Sequence, residues 1–150
     1  MFLSRSLSSR LKPSTLLSSA NVSSSSSRPF SSITRLSTSD PRMSSIVIHN
    51  DLVYLSGQVP SDFSGSEKGN LSLQVTSTLS KVDTLLEEAG TSKSNLISAQ
   101  IWLKNMSDFK AMNEIWVSWI DPENKPVRAC VEAPMASPDI LFEVMVIAKK

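Results

Sequence analysis

Ile140-Leu141-Phe142-Glu143-Val144-Met145-Val146-Ile147-Ala148 is an apolar run interrupted by one charge. Its β-branched content reads as a strand. Successive side chains of a strand point to opposite faces. Ile140, Phe142, Val144 and Val146 therefore share one face, and Leu141, Glu143, Met145 and Ile147 the other. Both faces are mostly apolar. One can pack on helices of the same chain. The opposite face, in a chain of 150 residues, needs a further partner, and the simplest is a second copy. A homo-oligomer is expected. A shorter strand just upstream, Val127-Arg128-Ala129-Cys130-Val131, carries a lone arginine in the same way. A charge inside a buried strand is costly unless it is paired or used. Arginine cannot shed its charge, and its planar fork grips carboxylates at two points. Two readings follow. Arg128 holds a small acidic ligand, or Arg128 and Glu143 form a salt bridge that staples two strands.

Upstream, Ser44–His49 is short and β-branched, Asn50-Asp51 is turn chemistry, and Leu52-Val53-Tyr54-Leu55-Ser56 is a second strand, so residues 45–56 read as a hairpin. Gly57-Gln58-Val59-Pro60 ends it, and residues 61–70 are a loop. From Leu71 the period changes: Leu71, Val75, Leu79, Val82, Leu86 and Ala89 recur at helical steps, with Gly90 as the stop. Gln74, Ser77, Lys81 and Glu88 read as the solvated side. Residues 97–103 alternate as a strand. Ser107 or Asp108 caps a second helix to about Ile120, with Met112, Ile115, Trp116 and Trp119 on one stripe, and Pro122 ends it. The three tryptophans read as core. The order β-β-α-β-α-β-β predicts an α+β domain, one sheet covered by two helices on one face.

Residues 1–39 contain no Asp or Glu, five basic residues and many serines. Such a segment buries too little apolar surface to fold alone, and its composition is that of an organelle transit peptide. Met1–Leu11 can form a short basic amphipathic helix. Arg28-Pro29-Phe30-Ser31-Ser32 resembles a plant mitochondrial presequence cleavage pattern. Mitochondrial import is the first reading; a chloroplast address and a plain disordered tail are the alternatives. No apolar stretch of secretory length is present. Without residues 1–39, ten basic residues face all fourteen acidic ones, a net charge near −4. No basic run survives, which argues against nucleic-acid partners. No apolar run approaches bilayer-spanning length, so no membrane association is expected after import. A single cysteine, Cys130, excludes an intrachain disulfide and fits a reducing compartment.

Much catalytic chemistry is missing. His49 is the sole histidine, and nothing near it resembles a nucleophile elbow. A Cys130–His49 pair is conceivable, but a buried structural Cys and a strand-end His are the plainer readings. His and Cys are too few for a zinc site, and Gly57, Gly65, Gly69 and Gly90 match no phosphate-binding loop. No metal and no cofactor is expected. Arg, Glu, Asn, hydroxyls, backbone groups and water remain for chemistry.

Several segments then fit one pattern. Tyr54-Leu55-Ser56-Gly57-Gln58-Val59-Pro60 resembles the hairpin end of the RidA (YjgF) family of reactive-intermediate deaminases. Leu85-Leu86-Glu87-Glu88-Ala89-Gly90, Trp102–Phe109, Met112-Asn113, Pro126–Glu132 and Phe142-Glu143-Val144 follow in the family's order. The match covers about residues 42–148, so the domain is placed at 42–150 after a segment, 1–39, outside the fold. The resemblance implies a chorismate-mutase-like homotrimer with ligand clefts between subunits. It implies hydrolysis of enamines and imines of small 2-keto acids, such as 2-aminoacrylate and 2-iminopropanoate, to the keto acid and ammonia. Residue by residue, Arg128 matches the carboxylate anchor and Glu143 the acid that places the attacking water. Ser56, Gly57, Asn113 and Cys130 match positions lining the cleft. The plainer alternatives are an ordinary hairpin exit at Gly57 and an Asn113 that ties off its own helix. The expected site is a guanidinium and a lone acid facing each other across a pocket at a seam between protomers. Two departures stand out: Met43 lies near a family Tyr, and Met145 replaces a second acid. A non-catalytic small-molecule binder, or a protein-interaction or chaperone-like trimer, is the rival reading.

Overall fold

A computed structural model describes residues 32–150. The Arg/Ser-rich leader reading falls on residues 1–31, outside the described residues. Six strands and two helices follow: β1 (Ile33–Leu36), β2 (Ile46–His49), β3 (Leu52–Leu55), α1 (Leu71–Glu88), β4 (Leu96–Leu103), α2 (Phe109–Trp119), β5 (Val127–Glu132) and β6 (Phe142–Lys149). One sheet holds all six in the order β1-β2-β3-β6-β4-β5. Neighbours are antiparallel except β4 and β5, which are parallel. A parallel pair needs a crossover connection, and α2 supplies it.

One expectation is corrected at the N-terminal boundary. The composition of residues 1–39 places Ile33–Leu36 outside the fold, yet they pair along β2, from Ile33 opposite His49 to Leu36 opposite Ile46. The sheet therefore begins inside the segment assigned to the leader. β1 is a short, largely exposed edge strand with Thr34 and Arg35 between Ile33 and Leu36, so it lacks the apolar alternation that reveals a strand in sequence. Elsewhere the expected elements recur with shifts of a residue or two. Asn50 takes a positive φ of 54° in the β2–β3 turn. Asn70 caps α1 by accepting from the Leu73 N–H at 3.1 Å. Gly90 closes the helix at φ 79°, a left-handed position that suits glycine. Asp108 occupies the position before α2, but its side chain makes no capping bond.

The core lies between the helices and one sheet face. Val75, Leu79, Val82 and Leu86 of α1 and Met112 and Trp116 of α2 pack on Ile46, Val53, Ile101, Phe142, Val144 and Val146. The alternation read in Ile140–Ala148 is realised: Phe142, Val144, Val146 and Ala148 are buried, while Glu143, Met145 and Ile147 face away from the helices. That open face also carries Tyr54, opposite Ile147 on β3, and Trp102, opposite Glu143 on β4. Trp102 is thus half-buried on the open face, not in the core.

Gln74 is a second correction. Read as solvated, it is fully buried. Its amide donates to the carbonyls of Glu67 and Asp139 at 3.1 and 2.9 Å and accepts from the Leu141 N–H at 2.8 Å. A buried amide is tolerated where all its bonding groups are satisfied. Here it ties α1 to the loop that feeds β6, and so sets where β6 begins. Lys81, on the same face, is half-buried and donates to the Val59 carbonyl at 2.9 Å.

Candidate active site

Arg128 projects from β5, the edge strand of the sheet. Its register partner is Ala99, a buried residue of the helix face, so Arg128 points to the side of α2. There its Nη2 donates to Asn113 Oδ1 at 2.7 Å. Its Cζ lies 5.1 Å from the centroid of the Trp116 ring, within cation–π range. Asn113 and Trp116 are one helical turn apart on α2, so a single helix supplies both supports. Asn113, with its oxygen turned to the guanidinium, keeps its two N–H donors for other acceptors. Cys130 lies two residues along the same strand face. Burial pushes its thiol up, partly offset by the nearby Arg128 charge. The protonated thiol suits a wall of the site better than a nucleophile.

Glu143 stands elsewhere. It faces the open side of the sheet, between Phe142 and Val144, which face the helices. Gln58 and Val144 exchange backbone hydrogen bonds of 2.8 and 3.0 Å, which lays the chain after β3 across β6. Gly57 is thereby pressed onto the Glu143 carboxyl: a Cβ at residue 57 would lie 2.2 Å from Glu143 Oε1. The glycine is required by this close approach, since its φ lies outside the left-handed region. Gln58, buried, donates through Nε2 to both the carbonyl and the hydroxyl oxygen of Ser56 at 3.0 Å. The Ser56 hydroxyl then has its own proton free to donate. Burial raises the Glu143 carboxyl above its ordinary value of 4.5.

The expected residues thus gather into two groups. Arg128, Asn113 and Cys130 stand at the β5–α2 edge. Glu143, Ser56 and Gly57 stand on the open face. The structure does not bring Arg128 and Glu143 together within one chain, because they lie on opposite faces of the sheet. This removes the strand-stapling salt bridge. The ion pairs among the described residues are Arg42–Asp40, Lys68–Asp139 and Lys93–Asp83, and neither Arg128 nor Glu143 is in one. The Cys130–His49 pair is also removed. β2 and β5 are four strand positions apart, about 19 Å at the usual spacing. Met43 is exposed, and Met145 lies on the open face opposite Gln100. Two supports escaped sequence reading. Trp116 looked like ordinary core, and Gln58 like the end of a strand. The Asn113–Trp116 spacing, on one helix face beneath a lone arginine, was the available signal for the first. Among the described residues no three of His, Cys, Asp or Glu cluster to hold a metal ion, and no helix is long and apolar enough to cross a membrane.

A mixed six-stranded sheet with two helices on one face defines an α+β protein of the chorismate-mutase-like type. Comparison with known proteins narrows this. The sequence pattern of the family described as Endoribonuclease L-PSP matches residues 34–150. A RutC family protein of Haemophilus ducreyi is 36% identical over 116 residues, covering 77% of this chain and 95% of that protein. The RutC family protein YoaB of Escherichia coli is 34% identical over 109 residues, covering 73% of this chain and 91% of that protein. The crystal structure of a YjgF family member from Neisseria meningitidis superposes with a TM-score of 0.72 at 35% identity, over 79% of this chain and 95% of that one. Yeast Mmf1 gives a TM-score of 0.72 at 25% identity, over 79% and 99% of the two chains. The chain belongs to the YjgF family, also called RutC or RidA.

Proposed function

We propose that this protein hydrolyses the imines of small 2-keto acids, with their enamine tautomers, to the keto acid and ammonia. The observation that carries the reading is the pair of unsatisfied, oppositely charged groups. Arg128 is braced by Asn113 and Trp116 with no carboxylate partner among the described residues. Glu143 is seated against Gly57 and is in no ion pair among the described residues. An acidic ligand satisfies the first, and a polarised water the second. Because the two lie on opposite faces of one sheet, the reading requires two copies: the β5 edge of one protomer laid against the open face of the next. The apolar open face, with Tyr54, Trp102, Met145 and Ile147, supports such an assembly, and a homotrimer is the arrangement the family suggests.

The chemistry is modest. A protonated imine carbon is already electrophilic. Arg128 takes the substrate carboxylate in charge-assisted hydrogen bonds. Glu143 accepts a proton from a water, whose oxygen bonds to the imine carbon. The carbinolamine nitrogen takes that proton back from Glu143, the C–N bond breaks to release ammonia, and the hydroxyl gives its proton to Glu143 as the carbonyl forms. Burial brings the Glu143 carboxyl closer to neutral pH, where a general base works best; such a base contributes roughly a hundred- to ten-thousand-fold. Ser56 donates toward the developing polar atoms, and fixed positioning supplies the remainder.

The test is ammonia release from imines generated in situ. Release above the spontaneous rate that is lost in Arg128→Ala supports the reading; release at the spontaneous rate refutes it, and leaves a non-catalytic carboxylate binder. Import is a separate proposal, motivated by the Arg/Ser-rich, acid-free leader. A fluorescent fusion of residues 1–32 that concentrates in mitochondria supports it, and diffuse cytosolic signal contradicts it.

A further inference from the structure

Beside Arg128 the helix face is hollowed. A groove of about 280 Å³ runs between the end of α2 and the connection into β5. Arg128 and Asn113, joined by their hydrogen bond, are among its lining. Its walls are Trp116, Val117, Ile120 and Pro126, with Pro122 and Lys125 at the rim. Trp116 and Ile120 are buried, whereas Val117 is 70% exposed, a large apolar side chain left in water. Small-molecule sites have this anatomy, mostly apolar walls with a few polar groups at a fixed point. At about 280 Å³ the groove suits a metabolite tail rather than a drug-sized ligand.

The head of that ligand is set by Arg128. Asn113 occupies one of its N–H groups, and the remainder of the fork is available to a carboxylate. A carboxylate seated there starts its carbon chain beside the Trp116 ring. We infer that the groove is a side-chain subsite, and that the protein favours monocarboxylates with branched aliphatic or aromatic tails over those with a methyl group. The carboxylate–tail recognition stands on the groove alone. Only its extension to the imines of branched and aromatic 2-keto acids rests on the proposed deaminase activity. Lys125 is the one further cation on the groove, and its place at the exposed rim leaves the interior apolar.

Titration calorimetry on the intact protein tests this, with pyruvate, 4-methyl-2-oxopentanoate and 3-phenyl-2-oxopropanoate as probes. Each methylene fully removed from water adds about fourfold in affinity. The longer aliphatic acid is therefore expected to bind at least about tenfold more tightly than pyruvate, allowing for partial burial. Val117→Trp fills the groove from its exposed wall and is expected to collapse that ratio to within about twofold. Equal affinities in the unmodified protein, or a ratio untouched by Val117→Trp, overturn the subsite. Absence of binding by every acid overturns both the subsite and the Arg128 anchor. Ammonia release from the matching imines is measured separately. Tail-dependent binding without turnover sinks the deaminase and leaves the groove standing; turnover without tail dependence does the reverse.

Discussion

Gly57→Ala isolates the acid half of the proposed site. The new Cβ would lie 2.2 Å from Glu143 Oε1, where ordinary contact begins near 3.4 Å. The carboxyl must therefore retreat by about 1 Å, a displacement that costs on the order of a hundredfold when it moves a catalytic group. The backbone at residue 57 is not left-handed, so alanine brings no conformational strain of its own. The clashing atoms are the free end of a side chain, so the folding cost falls at or below the low end of the overpacking range, about 1 kcal/mol. Arg128 lies on the other face of the sheet and keeps its Asn113 and Trp116 contacts. The expected result is a kcat lower by about a hundredfold with KM changed less than threefold, measured by ammonia release from in situ imine. Adding Glu143→Gln is expected to cost little more, because both changes remove the same group's function. Wild-type kcat in Gly57→Ala would refute the role given to Glu143, as would fully additive losses in the double variant.

The remaining expectations are simpler. Arg128→Lys keeps the charge and loses the fork and the stacking on Trp116; turnover should drop at least tenfold while the thermal midpoint stays within a few degrees. Burial raises the Glu143 carboxyl, so the folded chain holds a proton that the unfolded chain has released, and stability falls as the pH rises from about 4.5 through the folded value. Glu143→Gln is therefore expected to melt higher than wild type at neutral pH, with the gap closing by about pH 4; thermal melts across this range check it. Gln74→Leu strands the Leu141 N–H and the Glu67 and Asp139 carbonyls. It should cost about 3 kcal/mol in urea unfolding, and a loss below about 1 kcal/mol would contradict the linking role of that amide.

The fold was legible where one period dominated. Leu71–Ala89 repeats at helical steps and Ile140–Ala148 alternates, and a helix over Leu71–Glu88 and a strand over Phe142–Lys149 form there. β1 was not legible, because an exposed edge strand needs no apolar face, and Ile33–Leu36 merges with the serine-rich stretch before it. Gln74 reads as solvated from its helical stripe, while the loop that buries it arrives from residues 139–141, far along the chain. At the site, Arg128 and Glu143 were visible as lone charges in apolar strands. Their separation onto opposite faces required the registers of β5 and β6 against β4, which no single segment contains: Arg128 pairs with Ala99 and Glu143 with Trp102, an odd step apart on the same strand. The roles of Trp116 and Gln58 rest on contacts between elements, the Arg128 guanidinium over the Trp116 ring and the Gln58–Val144 backbone bridge.

Mixing two inactive variants tests the two-copy site most directly. Arg128→Ala and Glu143→Gln proteins are denatured together, refolded at equal amounts, and assayed after mass spectrometry confirms mixed oligomers. If Arg128 of one protomer works with Glu143 of its neighbour, about a quarter of the seams in a closed ring recover both intact residues, and about a quarter of wild-type deaminase activity returns. Mixed oligomers that stay as inactive as either parent would contradict the account.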